Sequence, residues 1–596
     1  MKNELIKLRE KMRQYGTDVY MITMDDEHQS EYVGAHYREI AYISGFTGSA
    51  GKLVVTADKA GLFTDGRYFV QAENQLKDSG IDLMRMGDKG TPDISDYISD
   101  AMPENGCFGF NGKTVAYSEA KALIEKLEAK HVKVKSDKDM AGEVWEGRPE
   151  HDYKKIFILD EKYAGESAKS KLARLKEKMR ELNADAHVIT MLDDIAWTLN
   201  LRGDDIKCNP VFLAYLLIDG ERTVLYTAKE HLTDEVRAYI SELGVELSED
   251  PERIYEDVKS LKGKVLLEED KTNYELMRCI PSECRIINKL LPTTLMKCVK
   301  NKVERENIIK VHIKDGASLT KFMCWFKKNV GKIKMTEMST AEKLHEFRAQ
   351  NEGFTDESFT TISAYGANAA MCHYSPSYEN DTVIEPKGLY LVDSGGQYYE
   401  GTTDVTRTWA CGELTEDERL HFTLSVMSML RLADVRFPEG TCGVALDYAA
   451  REEFWRRGLN FNHGTGHGVG YFLNVHERPV GIRYKIVPER LDSYPFYEGM
   501  LVSDEPGMYI EGSHGVRTEN LILSEKDYEN EFGTFLRFRH LTMAPIDITA
   551  LDTSVMTDND IRLLNDYHKK VRENLLPYMD EEEKDWLIEA TREVEK

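Results

Sequence analysis

Residues 391–408 read LVDSGGQYYEGTTDVTRT. An apolar run ends on Asp393, a glycine-bearing connection follows, and Asp404 opens a second run rich in β-branched residues. This pattern predicts two strands joined by a turn. The positions 393 and 404 are symmetric about a point between Tyr398 and Tyr399. Antiparallel pairing of 389–393 with 404–408 would set the two carboxylates face to face, with Cβ atoms about 4.5–5.5 Å apart. Like charges at that distance repel, and a cation between them reverses the sign. Solvated turn aspartates are the plainer reading, but that reading does not explain why Asp393 ends the apolar run 388–392.

A second stretch repeats the arrangement. Residues 501–523 read LVSDEPGMYIEGSHGVRTENLIL, and Glu505 and Glu519 are symmetric about Gly512. The Pro-Gly after Glu505 predicts a break in the strand, which re-aims the carboxylate. A buried Glu without a partner costs several kcal/mol or stays protonated. Two hairpins that each carry two acids inward therefore point to bound cations.

A fifth group comes from 463–470, HGTGHGVG. His463 and His467 are four apart, as in a zinc-binding helix. Glycine at alternate positions makes a helix costly here, at about 1 kcal/mol each relative to Ala, and no Glu follows His463. The segment is expected to be extended, with one His ligating and the other meeting substrate. Four carboxylates and one imidazole, with no thiolate, suit hard or borderline divalent ions. Two such ions balance the four negative charges.

The rest of the chain frames this site. At 596 residues it exceeds one core, so several domains are expected. Its 41% hydrophobic content is ordinary for a globular protein, and the net charge of −26 disfavours nucleic acid and anionic membranes as partners. No apolar run is long enough for a signal peptide or a membrane span. Nine dispersed cysteines without a CxxC pair predict reduced thiols and a cytoplasmic setting. Cys372, beside His373, reads as a small buried hydrophobe.

The front half contains a repeat. Residues 9–24 (REKMRQYGTDVYMITM) echo 176–191 (KEKMRELNADAHVITM), each a helix, a turn and a buried strand. Strands are then expected at 52–56, 60–64, 212–218 and 223–226. Two α/β domains, 1–150 and 151–299, should precede a third at 300–596. That third domain should open on an amphipathic helix over 304–329 and end in two helices broken at Pro577, the second anchored by Trp586, Leu587 and Ile588.

With these residues in place the chain resembles the Xaa-Pro aminopeptidases (aminopeptidase P) of the three-domain cytosolic type, within the pita-bread metallopeptidases. The matching stretches are GFTGSAG (45–51), TDGRY (64–68), NLRG (200–203), NPVF (209–212), TTDVTRT (402–408), HGTGHGVG (463–470), EPGMY (505–509) and VRTE (516–519). The resemblance implies an α/β (α+β) architecture: two creatinase-like N-terminal domains, then a pita-bread catalytic domain. It implies two divalent ions, usually manganese, with cobalt or zinc compatible. They would be held by Asp393, Asp404, His467, Glu505 and Glu519, with Asp404 and Glu519 shared between the ions. It further implies that a hydroxide bridging the ions attacks the bond between an N-terminal residue and a following proline. His476 would stabilise the oxyanion, Glu505 would move the proton, and His373 would act beside them. Arg67, His373, His463, His467, His476, Tyr509 and Arg517 would contact the substrate. A homodimer is the implied assembly. The alternatives are a prolidase, limited to dipeptides, and a catalytically dead peptide-binding module.

Overall fold

The computed structural model describes residues 2–486 and 494–596. The chain divides into two compact units, 1–159 with 166–293 and 160–165 with 294–596.

The first unit contains two six-stranded mixed sheets. One is built from β1 (Val19–Thr23), β2 (Lys52–Thr56), β3 (Ala60–Thr64), β4 (Asp82–Arg85), β5 (Cys107–Phe110) and β6 (Lys133–Lys135), in the order β4-β3-β2-β1-β5-β6. The other uses β7 (Ala186–Ile189), β8 (Ala214–Asp219), β9 (Arg222–Thr227), β10 (Glu246–Ser248), β11 (Lys264–Leu267) and β12 (Arg285–Asn288), in the order β10-β9-β8-β7-β11-β12. Adding six to each strand number of the first sheet gives the second. The parallel and antiparallel pairings also correspond, with β1 and β7 each antiparallel to the next strand and parallel to the fifth.

The two repeated helices, α1 (Asn3–Tyr15) and α2 (Ala168–Glu181), bury Leu5, Leu8 and Met12, and Leu172, Leu175 and Met179. This is the one-faced spacing their sequences predict. Strands β2 and β3 fall at the expected 52–56 and 60–64. Strand β8 begins two residues later than expected, because Leu213 N donates 2.8 Å to Asp205 Oδ2 outside the ladder.

The second unit opens on α3 (Lys302–Asn329). Asn301 Oδ1 accepts from Val303 N and Glu304 N at 2.9 and 3.0 Å, and Glu304 Oε2 accepts from Asn301 N at 2.8 Å. This capping box starts the helix two residues ahead of the expected 304. Four sets of strands follow. β13 (Phe354–Glu357) pairs with β16 (Gly396–Tyr398), which pairs with β17 (Gly401–Thr402). β14 (Ile362–Tyr365), β15 (Leu389–Ser394) and β18 (Val405–Ala410) form a second sheet.

The largest sheet contains β19 (Arg436–Pro438), β20 (Gly466–Gly468), β21 (Glu477–Ile482), β22 (Leu501–Asp504), β25 (Asn520–Asn530) and β26 (Gly533–His540). β23 (Gly507–Ile510) and β24 (His514–Arg517) form a separate ribbon. α4 (Glu416–Ala433), buried over nearly all of its length from His421 on, packs with these strands. The chain ends in α5 (Asp558–Leu575) and α6 (Glu581–Ala590), separated by a turn that contains Pro577. Of the three expected anchors of α6, Leu587 is buried, Trp586 packs at the edge of the core, and Ile588 is 49% exposed. A short helix with one apolar stripe turns position 588 outward.

Candidate metal centre

The two carboxylate hairpins form, but with different registers. In the second, Leu501 to Asp504 face Leu523 to Asn520, and Gly507 to Ile510 face Arg517 to His514. Both ladders share the symmetry point at Gly512 that the sequence predicts. Glu505 and Glu519 fall in the break between them.

In the first hairpin, Asp393 faces Thr406 and Ser394 faces Val405. The expected opposition of Asp393 and Asp404 is therefore corrected by two residues, and Asp404 lies just outside β18. The connection is not a plain turn. Gln397 pairs with Thr402 and Tyr398 with Gly401 on another sheet, about the same axis between Tyr399 and Glu400 as Asp393 with Thr406, so Asp404 falls in the gap between two ladders. Asp404 is brought into the site by chain direction, not by pairing.

The 463–470 segment is extended, as expected, with Gly466–Gly468 as a short strand between β21 and β22. A Cβ on Gly466 would lie 1.9 Å from Ser503 O, so only glycine allows this approach. Ser503 then ties two candidate ligands together. Its Oγ accepts from His467 N at 3.0 Å and donates to Glu505 Oε1 at 3.3 Å.

Asp404, His467 and Glu519 offer ligand atoms within 4.8 Å of one another. His467 Nε2 lies 3.4 Å from Asp404 Oδ2 and 3.6 Å from Glu505 Oε1. His467 Nδ1 lies 2.9 Å from Gly468 O, an acceptor, so Nδ1 carries a proton and Nε2 is the nitrogen that faces the acids. Asp393 Oδ2 accepts from Arg517 Nη2, while its Oδ1 is buried and finds no partner among the described residues. Thr406 Oγ1 donates 2.6 Å to Glu519 Oε2 and accepts from Arg517 Nε at 3.0 Å.

The electrostatics express crowding of like charge. Burial and then the fields of Asp404, Asp393 and Glu505 push the Glu519 carboxyl well above its ordinary range. Burial, with Asp404 and Glu505 adding and Arg517 opposing, raises Asp393 to about 6. For His467, burial disfavours the charge, but the hydrogen bond to Asp404 and the fields of Glu505 and Asp404 outweigh it and raise the ring to about 9. Burial opposes the Glu505 charge, yet His467, His463, Arg517 and His476 together hold its carboxyl low. Four acids enclosed with so little positive charge, one of them with an orphaned oxygen, fit a divalent cation donor set.

The other expected residues fall at the rim or elsewhere. The His476 ring meets the His467 ring edge-on, with centroids 4.3 Å apart. His463 Nε2 lies 2.9 Å from Tyr509 OH, which accepts from Arg517 Nη1 at 2.8 Å. Burial drives the His463 ring down to about 4, so it is neutral near pH 7. Arg517 thus spends its donors on Thr406, Tyr509 and Asp393. His373 is half-buried in the turn after Gly366–Ala370, and that helix packs on β24. Cys372, expected to be buried, is half-buried. Arg67 belongs to the first unit, where Nε and Nη2 grip Asp65 at 2.8 and 2.7 Å.

Two supporting residues escaped sequence reading. Thr406 was recoverable, since alternation places it on the Asp404 face of the strand. Ser503 was recoverable in the same way from Glu505.

Comparison with known proteins then decides the family. The Creatinase/Prolidase N-terminal domain matches twice, at 5–146 and 147–304. Metallopeptidase family M24 matches 306–526, and the C-terminal region of peptidase M24 matches 534–594. A probable Xaa-Pro aminopeptidase P from Pyrenophora teres is 37% identical over 97% of this chain and 90% of its own. The chain belongs to the aminopeptidase P group of the M24 metallopeptidases.

Aminopeptidase P2 of Arabidopsis thaliana is likewise 37% identical, over 98% of this chain and 86% of its own. The crystal structure of the Caenorhabditis elegans X-prolyl aminopeptidase, described as a cytosolic enzyme with a di-nuclear active site, superposes with a TM-score of 0.93 at 30% identity and covers 99% of both chains. The fold is accordingly two creatinase-type α/β domains followed by a pita-bread domain. An Xaa-Pro dipeptidase from Bacillus anthracis, 24% identical with a TM-score of 0.51 over 64% of this chain, shares the fold alone. Among the described residues no helix is long and apolar enough to cross a membrane.

Proposed function

We infer that this protein is a metal-dependent aminopeptidase that removes an N-terminal residue from peptides with proline in the second position. The observation that carries this reading is a buried cluster of excess negative charge in which Asp404, His467 and Glu519 bring ligand atoms together, with Glu505 beside His467 and Asp393 in the field of the other acids. The full-length likeness to enzymes named Xaa-Pro aminopeptidase supports it over prolidase.

The five residues would hold two divalent cations, with manganese the favoured identity for this oxygen-rich set with a single imidazole. When bound, such ions make water acidic enough to ionise near neutrality and polarise the scissile carbonyl. The remaining chemistry belongs to the chain. Glu505, anionic and tied to Ser503, is placed to take a proton and return it to the leaving nitrogen. His476, edge-on against His467, would donate to the oxygen on which charge develops. His463 and Tyr509 form a neutral polar wall, braced by Arg517, that suits the substrate backbone.

Proline lacks an N–H, so its pocket must select ring shape and apolar contact. His373 follows the helix Gly366–Ala370, which packs against the ribbon that carries Tyr509, and would complete substrate binding. The working assembly is read as a homodimer in the cytoplasm.

The test is a panel of tripeptides incubated with the metal-loaded protein. Release of the first residue from Arg-Pro-Pro, with Arg-Ala-Pro spared, is expected. Equal release from both would overturn the proline specificity, and cleavage of dipeptides alone would replace the reading with a prolidase.

A further inference from the structure

Arg407 takes no part in the chemistry above, yet its guanidinium is buried and fully engaged. Nε donates to Pro545 O at 3.1 Å. Nη1 donates to Thr406 O at 2.8 Å and Glu519 O at 2.6 Å. Nη2 donates to Asn520 Oδ1 at 2.8 Å, Ala544 O at 3.0 Å and Tyr567 OH at 2.8 Å. Arg407 is 1% exposed and Tyr567, on α5, is 2% exposed. The Tyr567 hydroxyl passes its own proton to Ala544 O at 2.8 Å. One planar fork thus joins the strand after Asp404, the backbone of Glu519 and the C-terminal region.

The geometry around Glu519 gives this fork a consequence. Glu519 N donates to Thr406 O at 3.1 Å, and Glu519 O receives Arg407 Nη1. Both peptide groups that flank the Glu519 Cα are therefore fixed. The carboxylate reaches the cluster from this fixed backbone and meets Thr406 Oγ1. A ligand in the break between two ladders has no strand pairing of its own to orient it, so the fork supplies that constraint.

We propose that Arg407 and Tyr567 are positioning residues for the metal centre. The C-terminal region orients the Arg407 guanidinium through the Tyr567 hydroxyl, and Arg407 fixes the backbone from which Glu519 reaches the cations. This rests on the reading of Glu519 as a cation ligand. Partners outside the ligand shell commonly change affinity 10–100-fold when removed. A lysine at 407 keeps the charge but offers three donors from a single point and cannot reproduce a planar fork with six acceptors.

The test is calorimetric titration of the chelated full-length protein with Mn²⁺, together with its melting temperature without metal. The variants are Tyr567→Phe, Arg407→Lys and a control, Val571→Ala, which opens a cavity on the same helix. Tyr567→Phe is expected to bind about tenfold more weakly and Arg407→Lys more weakly still. Val571→Ala should melt earlier but bind as the wild type does. Wild-type affinity in Tyr567→Phe would overturn the proposal, and that variant keeps the ring and so tests it even if Arg407→Lys does not fold. An equal loss in Val571→Ala would also overturn it, since general loosening would then explain the effect. Failure of the wild type itself to take up Mn²⁺ would instead overturn the reading of the site.

Discussion

The strand pair 389–410 and the strand pair 501–523 each bring two carboxylates to one cluster, and they do so by different means. In the first, Asp393 sits inside a continuous ladder opposite Thr406, and Asp404 arrives from beyond its end. In the second, both Glu505 and Glu519 stand in a gap between two ladders of common register. Each pair draws part of its compensation from the other. Asp393 of the first is met by Arg517 of the second, and Glu519 of the second by Thr406 of the first. The exchange makes the cluster a property of both ribbons docked together. A single ribbon would carry uncompensated like charge.

Breaking the shared corner should have the largest effect. Asp404→Ala removes the acid that faces both His467 and Glu519, so turnover and cation uptake should both disappear. A variant with two bound ions and full turnover would show that the ribbons do not share a centre.

Cutting one cross-link sharpens the comparison. Thr406→Val removes the hydroxyl that serves Glu519 and Arg517, at about 1.5–3 kcal/mol for a hydrogen bond to a charged group. Cation affinity should fall about tenfold, as measured by titration, with the fold retained. An unchanged affinity would mean that Glu519 is oriented by its own ribbon.

The chelated protein exposes the repulsion directly. Asp393 is raised to about 6 in the fold, from an ordinary value of 3.8. An acid raised in this way stabilises the fold below its unfolded pKa, and the contribution is lost as pH rises through about 6. The melting temperature of the chelated protein should therefore drop between pH 4 and 6 by more than that of Asp393→Asn. Added Mn²⁺ at pH 7 should recover the loss. Parallel melting curves for the two proteins would place the strain elsewhere.

The smallest effect is expected at the turn. Gly512 has φ +72° with open space where a Cβ would sit, so Gly512→Ala strains only the backbone. Local opening of the second ribbon, read by hydrogen exchange, should become easier by about 1 kcal/mol, with turnover unchanged. A large loss of turnover would mean that the turn sets the register of Glu505 and Glu519 by itself.

The two ribbons also show what a sequence can disclose. Around Gly512 the two ladders share one axis, so symmetry alone located Glu505 and Glu519 at mirror positions in the break between them. Around Tyr398 and Tyr399 the same reasoning failed by two residues. The ribbon there is also symmetric, but about a point between Tyr399 and Glu400, and Asp404 stands in a gap where it faces no carboxylate, so two acids do not mark the axis. The extended path of 463–470 was legible, because glycine at every second position excludes a helix and permits the close approach at Ser503. The repeated sheet order of the first unit was foreshadowed by the paired EKMR and ITM motifs. The work of Arg407 was not legible. An arginine in a strand of threonines reads as exposed until the distant segments 544–545 and 567 are known to close over it.

The proposed centre requires two cations held by acids from both ribbons. Titration of the chelated wild-type protein with Mn²⁺ measures this directly. Two equivalents per chain, bound with release of protons at pH 6, are predicted. Uptake of no ion, or uptake without proton release, would contradict it.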